Sequence, residues 1–225
     1  MPQESGVEVP VGAITLPGIL VVPPGASAVV VFAHGSGSSR LSSRNRAVAR
    51  VLSEAGLATL LMDLLTAAEA AEDARTGRLR FDVGLLAERV IGAIDWLAAD
   101  AVVGDLPSRL GSLPVGCFGA STGAAAALIV AAERPDRVGA VVSRGGRPDL
   151  AGDALPRVKA PTLLIVGGLD TEVIELNRRA QAALAAESRL VIVPGAGHLF
   201  EEPGALAEVA ALARDWFLRH LAKPG

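Results

Sequence analysis

The sequence predicts an α/β domain with a mostly parallel central sheet and helices on both faces. Short apolar runs rich in Val, Ile and Leu alternate with helical patterns almost from end to end. Most of these runs show no alternation of polar and apolar residues, as expected for strands that are covered on both faces. The chain has 225 residues, 51% of them hydrophobic, which suffices for one large core, so we expect a single domain over residues 1–225.

Eight apolar segments are predicted strands, and the first of them is expected at the edge of the sheet. That segment, Val7–Leu16, contains Pro10 and is followed by Pro17. Proline cannot donate a hydrogen bond to a neighbouring strand, so it is tolerated at an edge better than at the centre. The other predicted strands are Gly18–Val22, Ala28–Ala33, Ala58–Met62, Val115–Phe118, Gly139–Val142, Pro161–Val166 and Leu190–Val193.

Three stretches between the strands have apolar residues at the spacing of an amphipathic helix. In each of them the apolar side chains recur three or four positions apart. The stripes are Val48, Val51, Leu52 and Ala55; Leu86, Val90, Ile94 and Leu97; and Leu206, Val209, Ala213, Trp216 and His220. Parallel strands need crossover connections, which are usually helices, so the two patterns support the same fold.

Composition argues against several functional classes. Lys and Arg number 21 and Asp and Glu 24, so the net charge is −3 and no concentrated positive field for nucleic acid or an anionic membrane is expected. A single cysteine excludes an internal disulfide and a cysteine-cluster metal site. No apolar run reaches the ~18 residues of a membrane helix. The acidic N-terminus lacks the pattern of a secretory signal, so we expect a cytoplasmic protein.

The strongest chemical motif is Gly119-Ala120-Ser121-Thr122-Gly123. It follows the predicted strand Val115–Phe118 and precedes an alanine-rich helical stretch. A G-x-S-x-G sequence at a strand-to-helix turn is a nucleophile elbow, whose sharp bend leaves the serine hydroxyl exposed above the sheet. The N-terminus of the following helix favours a negative oxygen near Ser121. The alternative is a glycine-containing turn in which the serine only caps the helix.

A serine nucleophile needs a base at neutral pH, and the chain offers three histidines. His220 lies on the apolar stripe of the last predicted helix, where a packing role is expected. His34 ends the third strand directly before Gly35 and is expected to shape the following loop. His198 lies in the loop between the last strand and the last helix, and we predict that it is the base.

The acid that orients this histidine is predicted to be Asp170. It follows the seventh strand and stands between Ser121 and His198 in the chain. Glu172, two residues later, is the reserve candidate, and Asp170 could instead cap the helix that follows it. Asp63 also ends a strand, but it precedes the serine, so a role in fixing a loop or capping a helix suits it better.

Acyl transfer also needs N–H donors aimed at the developing oxyanion, each worth ~3 kcal/mol. The residue after the nucleophile, Thr122, offers one backbone N–H. The loop after the third strand, residues 34–40, offers the other. Within that loop the Ser36 N–H is the first choice and that of Gly37 the second.

With these motifs in place, the sequence resembles the α/β-hydrolase superfamily, and within it the small serine hydrolases similar to dienelactone hydrolase. The matching segments span most of the chain and follow the order Ser, Asp, His. They are His34-Gly35-Ser36-Gly37-Ser38-Ser39-Arg40, Gly119-Ala120-Ser121-Thr122-Gly123, Gly167-Gly168-Leu169-Asp170 and Gly195-Ala196-Gly197-His198-Leu199-Phe200. The resemblance implies an α/β-hydrolase fold without a sizeable cap domain, because residues 143–160, where caps are commonly inserted, are too few for a helical cap.

The resemblance implies hydrolysis of small carboxylic esters, thioesters or lactones through an acyl-serine intermediate, without a metal or cofactor. Dienelactone hydrolases use a cysteine where this chain has Ser121, which favours ordinary esters or thioesters. Arg144, just past a strand end, is predicted to contact an anionic or strongly polar part of the substrate. A salt bridge to Asp149, Asp153 or Glu172 is the alternative. The expected partner is a small-molecule ester, and a monomer or homodimer is expected.

Three other functions stay open at the level of sequence. Gly35-Ser36-Gly37 after a strand, with Asp63 ending the next strand, suggests a dinucleotide-binding enzyme. However, Arg40 replaces the third glycine of that motif, and the interpretation leaves the Ser, Asp and His residues unexplained. The other two are a hydrolase-fold protein that binds without turnover and an acyltransferase that uses the same acyl-serine intermediate.

Overall fold

The structure, a computed structural model, describes residues 4–99 and 110–221. Eight strands form one sheet in the order β1-β2-β4-β3-β5-β6-β7-β8. The strands are β1 (Glu4–Val11), β2 (Ile14–Val21), β3 (Val29–Ala33), β4 (Ala58–Met62), β5 (Val115–Ala120), β6 (Val138–Arg144), β7 (Thr162–Gly167) and β8 (Ser188–Val193). The helices are α1 (Ser43–Glu54), α2 (Ala67–Thr76), α3 (Val83–Ala98), α4 (Thr122–Glu133), α5 (Thr171–Ala183) and α6 (Ala205–Leu221). The β1–β2 and β2–β4 pairs are antiparallel and the other pairs are parallel, which confirms the predicted fold class.

The N-terminal edge corrects one prediction. The segment Val7–Leu16 is not one strand, because β1 and β2 form a hairpin whose turn begins at Gly12. Gly12 has a φ of 60°, a left-handed conformation that glycine adopts without steric cost. Pro10 lies in the edge strand β1, as expected. Pro17 lies in β2, but the pairing of β2 with β4 begins only at Gly18, so no ladder hydrogen bond on that side is lost.

Apolar side chains fill both faces of the sheet. Helices α1 and α6 pack on one face, and α3, α4 and α5 pack on the other. Every residue of β3, β4, β5 and β7 is buried, which explains why these strands read as continuous apolar runs. Between β6 and β7 the chain forms only a short 3₁₀ segment, Pro148–Arg157, so within residues 4–99 and 110–221 no large cap covers the sheet. Within the described residues, no helix is both long and apolar enough to span a bilayer.

The parallel part of the sheet determines where the functional loops meet. Parallel strands end at the same edge, so the loops that follow β3, β5, β7 and β8 lie side by side there. These loops contain the residues singled out from the sequence: residues 34–40 after β3, Ser121 after β5, Asp170 after β7 and His198 after β8. The fold therefore brings together segments that are far apart in the chain.

Core packing around α1 gives a first testable expectation. Leu52 of α1 is fully buried, whereas Leu41, just before the same helix, is 57% exposed. Leu52→Ala should lower the free energy of unfolding by about 2–5 kcal/mol, because it leaves a cavity between helix and sheet. Leu41→Ala removes the same atoms and should change it by less than about 0.5 kcal/mol. Denaturant unfolding of the two variants measures the difference, and equal losses would contradict the layer assignment.

Candidate active site

Ser121 stands at a strained turn between β5 and α4. Its backbone has φ 51° and ψ −121°, a conformation that non-glycine residues rarely adopt. A Cβ on Gly119 would lie 2.4 Å from Ala124 Cα, and one on Gly123 would lie 2.2 Å from Ala33 O. Both glycines are therefore required by close backbone approach. The Ser121 side chain does not cap α4, so the alternative of an ordinary helix cap is not supported.

The imidazole of His198 contacts the carboxylate of Asp170. The distance from His198 Nδ1 to Asp170 Oδ2 is 2.6 Å, which is a short hydrogen bond. Asp170 precedes α5 but makes no side-chain cap hydrogen bond there, so its carboxylate is committed to the histidine. The contact fixes the imidazole with Nε2 pointing away from the acid.

Two features hold the His198 loop against the end of β7. A Cβ on Gly167 would lie 2.4 Å from the carbonyl oxygens of both Ala196 and Gly197, so the loop backbone packs directly on that strand end. On its other side, the Gly197 N–H donates to Glu202 Oε1 at 2.9 Å. No sequence pattern predicts this contact of Glu202, because it depends on a loop conformation that residue spacing does not reveal.

Ser121 and His198 line the same small cleft, whose volume is about 260 Å³. The Ser121 N–H donates to Arg144 O at 3.3 Å, and the Cβ position of the next residue, Gly145, lies 3.6 Å from His198 Cε1. No residue in the described ranges hydrogen-bonds to Ser121 Oγ or to His198 Nε2. Both groups therefore face the cleft unengaged.

The loop after β3 forms the opposite wall of the cleft. A Cβ on Gly35 would lie 3.0 Å from Ser121 Cβ, so this loop passes directly over the serine. The Asp63 carboxylate holds the far end of the loop by accepting from the backbone N–H of Arg40 at 2.7 Å and from its guanidinium. Asp63 thus fixes a loop, as predicted, and its carboxylate is occupied, which disfavours the dinucleotide-binding alternative. Within the described chain, the Ser36 and Thr122 N–H groups donate to no other residue.

The environments of the two remaining histidines and of the cysteine indicate structural roles. His34 Nε2 accepts from Leu64 N–H at 3.1 Å while Nδ1 donates to Gly35 O at 2.9 Å, and burial lowers the pKa of His34, so its ring is neutral. His220 packs on Trp216 with ring centroids 4.3 Å apart. Burial raises the pKa of the Cys117 thiol to about 12, so it stays protonated inside β5.

Arg144 also lines the cleft, and it makes none of the three salt bridges considered from the sequence. Its side chain is buried, and its one hydrogen bond within the described residues joins Nη2 to Asn45 Oδ1 at 3.4 Å. It is Arg147 that pairs with Asp149, through two hydrogen bonds of 2.9 and 2.8 Å.

A second guanidinium in the cleft, that of Arg44, was not predicted. The sequence feature that could have revealed Arg44 is its position in the first turn of a helix, where acidic residues are more usual than basic ones.

A larger cleft of about 710 Å³ lies on the other side of the loop after β3. The two clefts share Gly35, Ser36 and Ser38. The charged side chains of the larger cleft are paired with one another: Arg40 with Asp63, and Arg80 with Asp73 at 2.6 Å. Its walls are therefore electrically balanced, in contrast to those of the smaller cleft.

Comparison with known proteins identifies the family of this chain. A model of the dienelactone hydrolase family matches residues 16–221. The chain belongs to the dienelactone hydrolase family. Membership confirms the resemblance seen in the sequence.

Solved structures and curated relatives extend the comparison. A dienelactone hydrolase from Anabaena variabilis is 60% identical, with a TM-score of 0.91 over 98% of this chain and 99% of that one. Est1E from Butyrivibrio proteoclasticus shares the fold at 17% identity, with a TM-score of 0.78 over 97% of this chain and all of that chain. A protein of Mycobacterium tuberculosis strain H37Rv named "Putative phosphoribosyl transferase" is 56% identical over 223 residues, which are 99% of this chain and 48% of that protein. The chain thus spans about half the length of the curated relatives it matches.

The packing of the His198 loop on β7 can be tested with two adjacent glycines. Gly167→Ala places a Cβ 2.4 Å from two carbonyl oxygens, so the loop must move, and we expect a loss of about 1–3 kcal/mol in stability. Gly168→Ala is the matched control, because its nearest contact would be 3.1 Å, to Val193 O. Crystal structures and thermal unfolding of both variants check this. A Gly167→Ala protein with an unmoved imidazole and full stability would contradict the interpretation.

Proposed function

We propose that the protein is a serine hydrolase that cleaves small carboxylic esters, thioesters or lactones through an acyl-serine intermediate. The observation that carries the proposal is the 2.6 Å contact between His198 Nδ1 and Asp170 Oδ2 at the cleft that also contains Ser121. An imidazole held in this way presents Nε2 as a base towards the cleft. A strained serine beside such a base is the arrangement that nucleophilic catalysis requires.

The first chemical step is attack of Ser121 Oγ on the substrate carbonyl. The serine hydroxyl turns to His198 Nε2, which takes its proton as the C–O bond forms. Asp170 stabilises the resulting imidazolium and is not itself protonated. The hydrogen bond between serine and imidazole forms as substrate binds, since such contacts are often long or absent in unliganded enzymes.

The negative charge that develops on the carbonyl oxygen is stabilised by two backbone N–H groups. Thr122 is the first residue of α4, and a helix leaves its first N–H groups without intrahelical partners. Ser36 lies in the loop that passes over Ser121, and its N–H is likewise uncommitted in the part of the chain that is described. Each such donor stabilises the transition state by ~3 kcal/mol.

His198 then returns its proton to the leaving alcohol or thiol, and water repeats the sequence to release the acid. Two features favour water as the final acceptor over another acyl acceptor. The His198 side chain is 41% exposed, and in the described part of the chain no large cap covers the cleft. Water therefore has direct access to the acyl-serine. Phosphoribosyl transfer, the activity in the name of the longer mycobacterial relatives, would leave this arrangement of serine, imidazole and carboxylate without a role.

Removal of the nucleophile is the primary test. Ser121→Ala should lower hydrolysis of short p-nitrophenyl esters by ~10⁶-fold and abolish labelling by a fluorophosphonate probe. Ser143→Ala is the control, because this buried serine is nearby on β6 and its hydroxyl has no hydrogen-bond partner in the described structure. Normal labelling of Ser121→Ala would place the nucleophile elsewhere.

The imidazole–carboxylate contact has its own signature. Asp170→Asn should lower kcat by ~10⁴-fold with little change in KM, because an amide disfavours the tautomer that the base needs. Combining Ser121→Ala with His198→Ala should cost no more than either change alone, because the residues act as a unit. Steady-state kinetics on one ester compare the three single variants and the double variant with the wild-type protein. Additive losses would show that the residues act independently.

A further inference from the structure

A short segment at the end of β6 holds the backbone of Ser121 from both sides. The Ser121 N–H donates to Arg144 O at 3.3 Å, and Ser121 O accepts from the Arg147 N–H at 3.0 Å. We call residues 144–147 the clamp segment. A strained backbone such as that of Ser121 persists only where its surroundings impose it, and these two hydrogen bonds act on the strained residue directly.

The clamp segment also contacts the His198 loop. The Gly145 N–H donates to Ile165 O at 2.8 Å, which fixes the segment to β7. A Cβ on Gly145 would lie 3.0 Å from His198 O and 3.6 Å from His198 Cε1, so the backbone of the segment packs against this residue. The clamp segment therefore contacts both Ser121 and His198, and its position sets their relative position.

Asn177 of α5 fastens the middle of the clamp segment. Its Nδ2 donates to Gly146 O at 3.0 Å and to Val173 O, one turn earlier in α5, at 2.8 Å. The two carbonyl oxygens also decide the orientation of the amide, because only its NH₂ group can donate to both. Asn177 is fully buried, so its bond to Gly146 is shielded from competing water.

The NH₂ group distinguishes Asn177 from an apolar residue at the same position. The Oδ1 atom of Asn177 is buried and has no hydrogen-bond partner in the described part of the chain. A buried acceptor without a partner destabilises a fold, and a leucine of similar volume would avoid that cost. The favourable contribution of Asn177 therefore comes from its bonds to Gly146 and Val173.

Helix α5 connects the clamp segment to Asp170. Asp170 immediately precedes α5, and its carbonyl oxygen accepts from the Ile174 N–H at 2.9 Å, so it belongs to the first helical turn. Asn177 lies about two turns further along the same helix. One helix therefore fixes both the carboxylate that contacts His198 and the segment that holds Ser121.

We propose that Asn177 is a positioning residue, which acts through the clamp segment to hold Ser121 Oγ at the distance from His198 Nε2 that proton transfer requires. This inference rests on the proposed function, because the separation matters only if one group is the nucleophile and the other its base. Asn177 does not line the cleft, so its effect falls on the chemical step rather than on substrate binding. A displacement of about 1 Å at a reacting atom can lower a rate by ~100-fold.

Asn177→Ser tests the bond to Gly146. A serine hydroxyl in a helix can still donate to the carbonyl four residues earlier, here that of Val173, but it is too short to reach Gly146 O. We expect kcat for a short p-nitrophenyl ester to fall by about 10- to 100-fold, with KM changed by less than about twofold. The rate of fluorophosphonate labelling at Ser121 should fall by a similar factor, because it depends on the same serine and base.

Gln181→Ser is the matched control. Gln181 lies one turn after Asn177, and its side-chain amide also donates to a backbone carbonyl, that of Ser188 at 3.3 Å. Ser188 begins β8, at the end of the strand opposite to the cleft, so this variant should keep the wild-type kcat and labelling rate. Asn177→Leu keeps the volume of Asn177 without its donors and should reproduce the loss seen in Asn177→Ser. All variants are compared at a temperature at which each is fully folded.

Amide hydrogen exchange gives a readout that does not depend on turnover. The Arg147 N–H, which donates to Ser121 O, should exchange faster in Asn177→Ser than in the wild-type protein and at the wild-type rate in Gln181→Ser. A folded Asn177→Ser or Asn177→Leu protein with the wild-type kcat and labelling rate would overturn the proposal. An equal loss of kcat in Gln181→Ser would overturn it too, because any anchor of α5 would then have the same effect.

The positioning role and the proposed function fail in different ways. If Ser121→Ala is inactive while the Asn177 variants keep full kcat, the hydrolase mechanism stands and the positioning role is wrong. If Ser121→Ala keeps full activity, the proposed function is wrong, and the role of Asn177 in that reaction is wrong with it. Faster exchange at Arg147 would then show only that Asn177 holds the clamp segment.

Discussion

The close approach of the β8 loop to the end of β7 is the constraint on which the site depends. Gly167 has no side chain, and the carbonyl oxygens of Ala196 and Gly197 occupy the space where one would be. At this separation the carboxylate of Asp170 meets the imidazole of His198 at 2.6 Å. The contact between these two side chains therefore rests on backbone packing, which is more rigid than the side chains it positions.

A similar contact positions Ser121. The backbone of Ser121 is held at φ 51° because α4 packs against β3 through Gly123, where a side chain would collide with Ala33 O. Strain of this kind costs about 1–3 kcal/mol and persists only where surrounding contacts impose it. The fully buried strands β3 and β5 supply those contacts. Thus the large apolar core stabilises the fold and also maintains the unfavourable turn that exposes the hydroxyl.

The sequence predicted those features that depend on order along the chain. Parallel strands end at one edge, so residues that follow strand ends could be expected to meet, and the contact between Asp170 and His198 agrees with this. The hairpin at Gly12 was missed because apolar residues continue on both sides of the turn, without the change of period that would reveal it. Arg44 and Glu202 were missed because each acts across the cleft or within a loop, and spacing alone does not encode such contacts.

The charge distribution separates stability from function in this molecule. Elsewhere in the described chain, several arginines pair with carboxylates, as Arg80 does with Asp73 and Arg147 with Asp149. At the cleft beside the serine, two guanidiniums lie close enough for one to lower the pKa of the other, and neither has a buried acid. A protein selected only for stability would have replaced Arg144 by an apolar residue. The unpaired guanidinium and the strained turn at Ser121 therefore lie at the same edge of the sheet, and the large apolar core stabilises the fold against the cost of both.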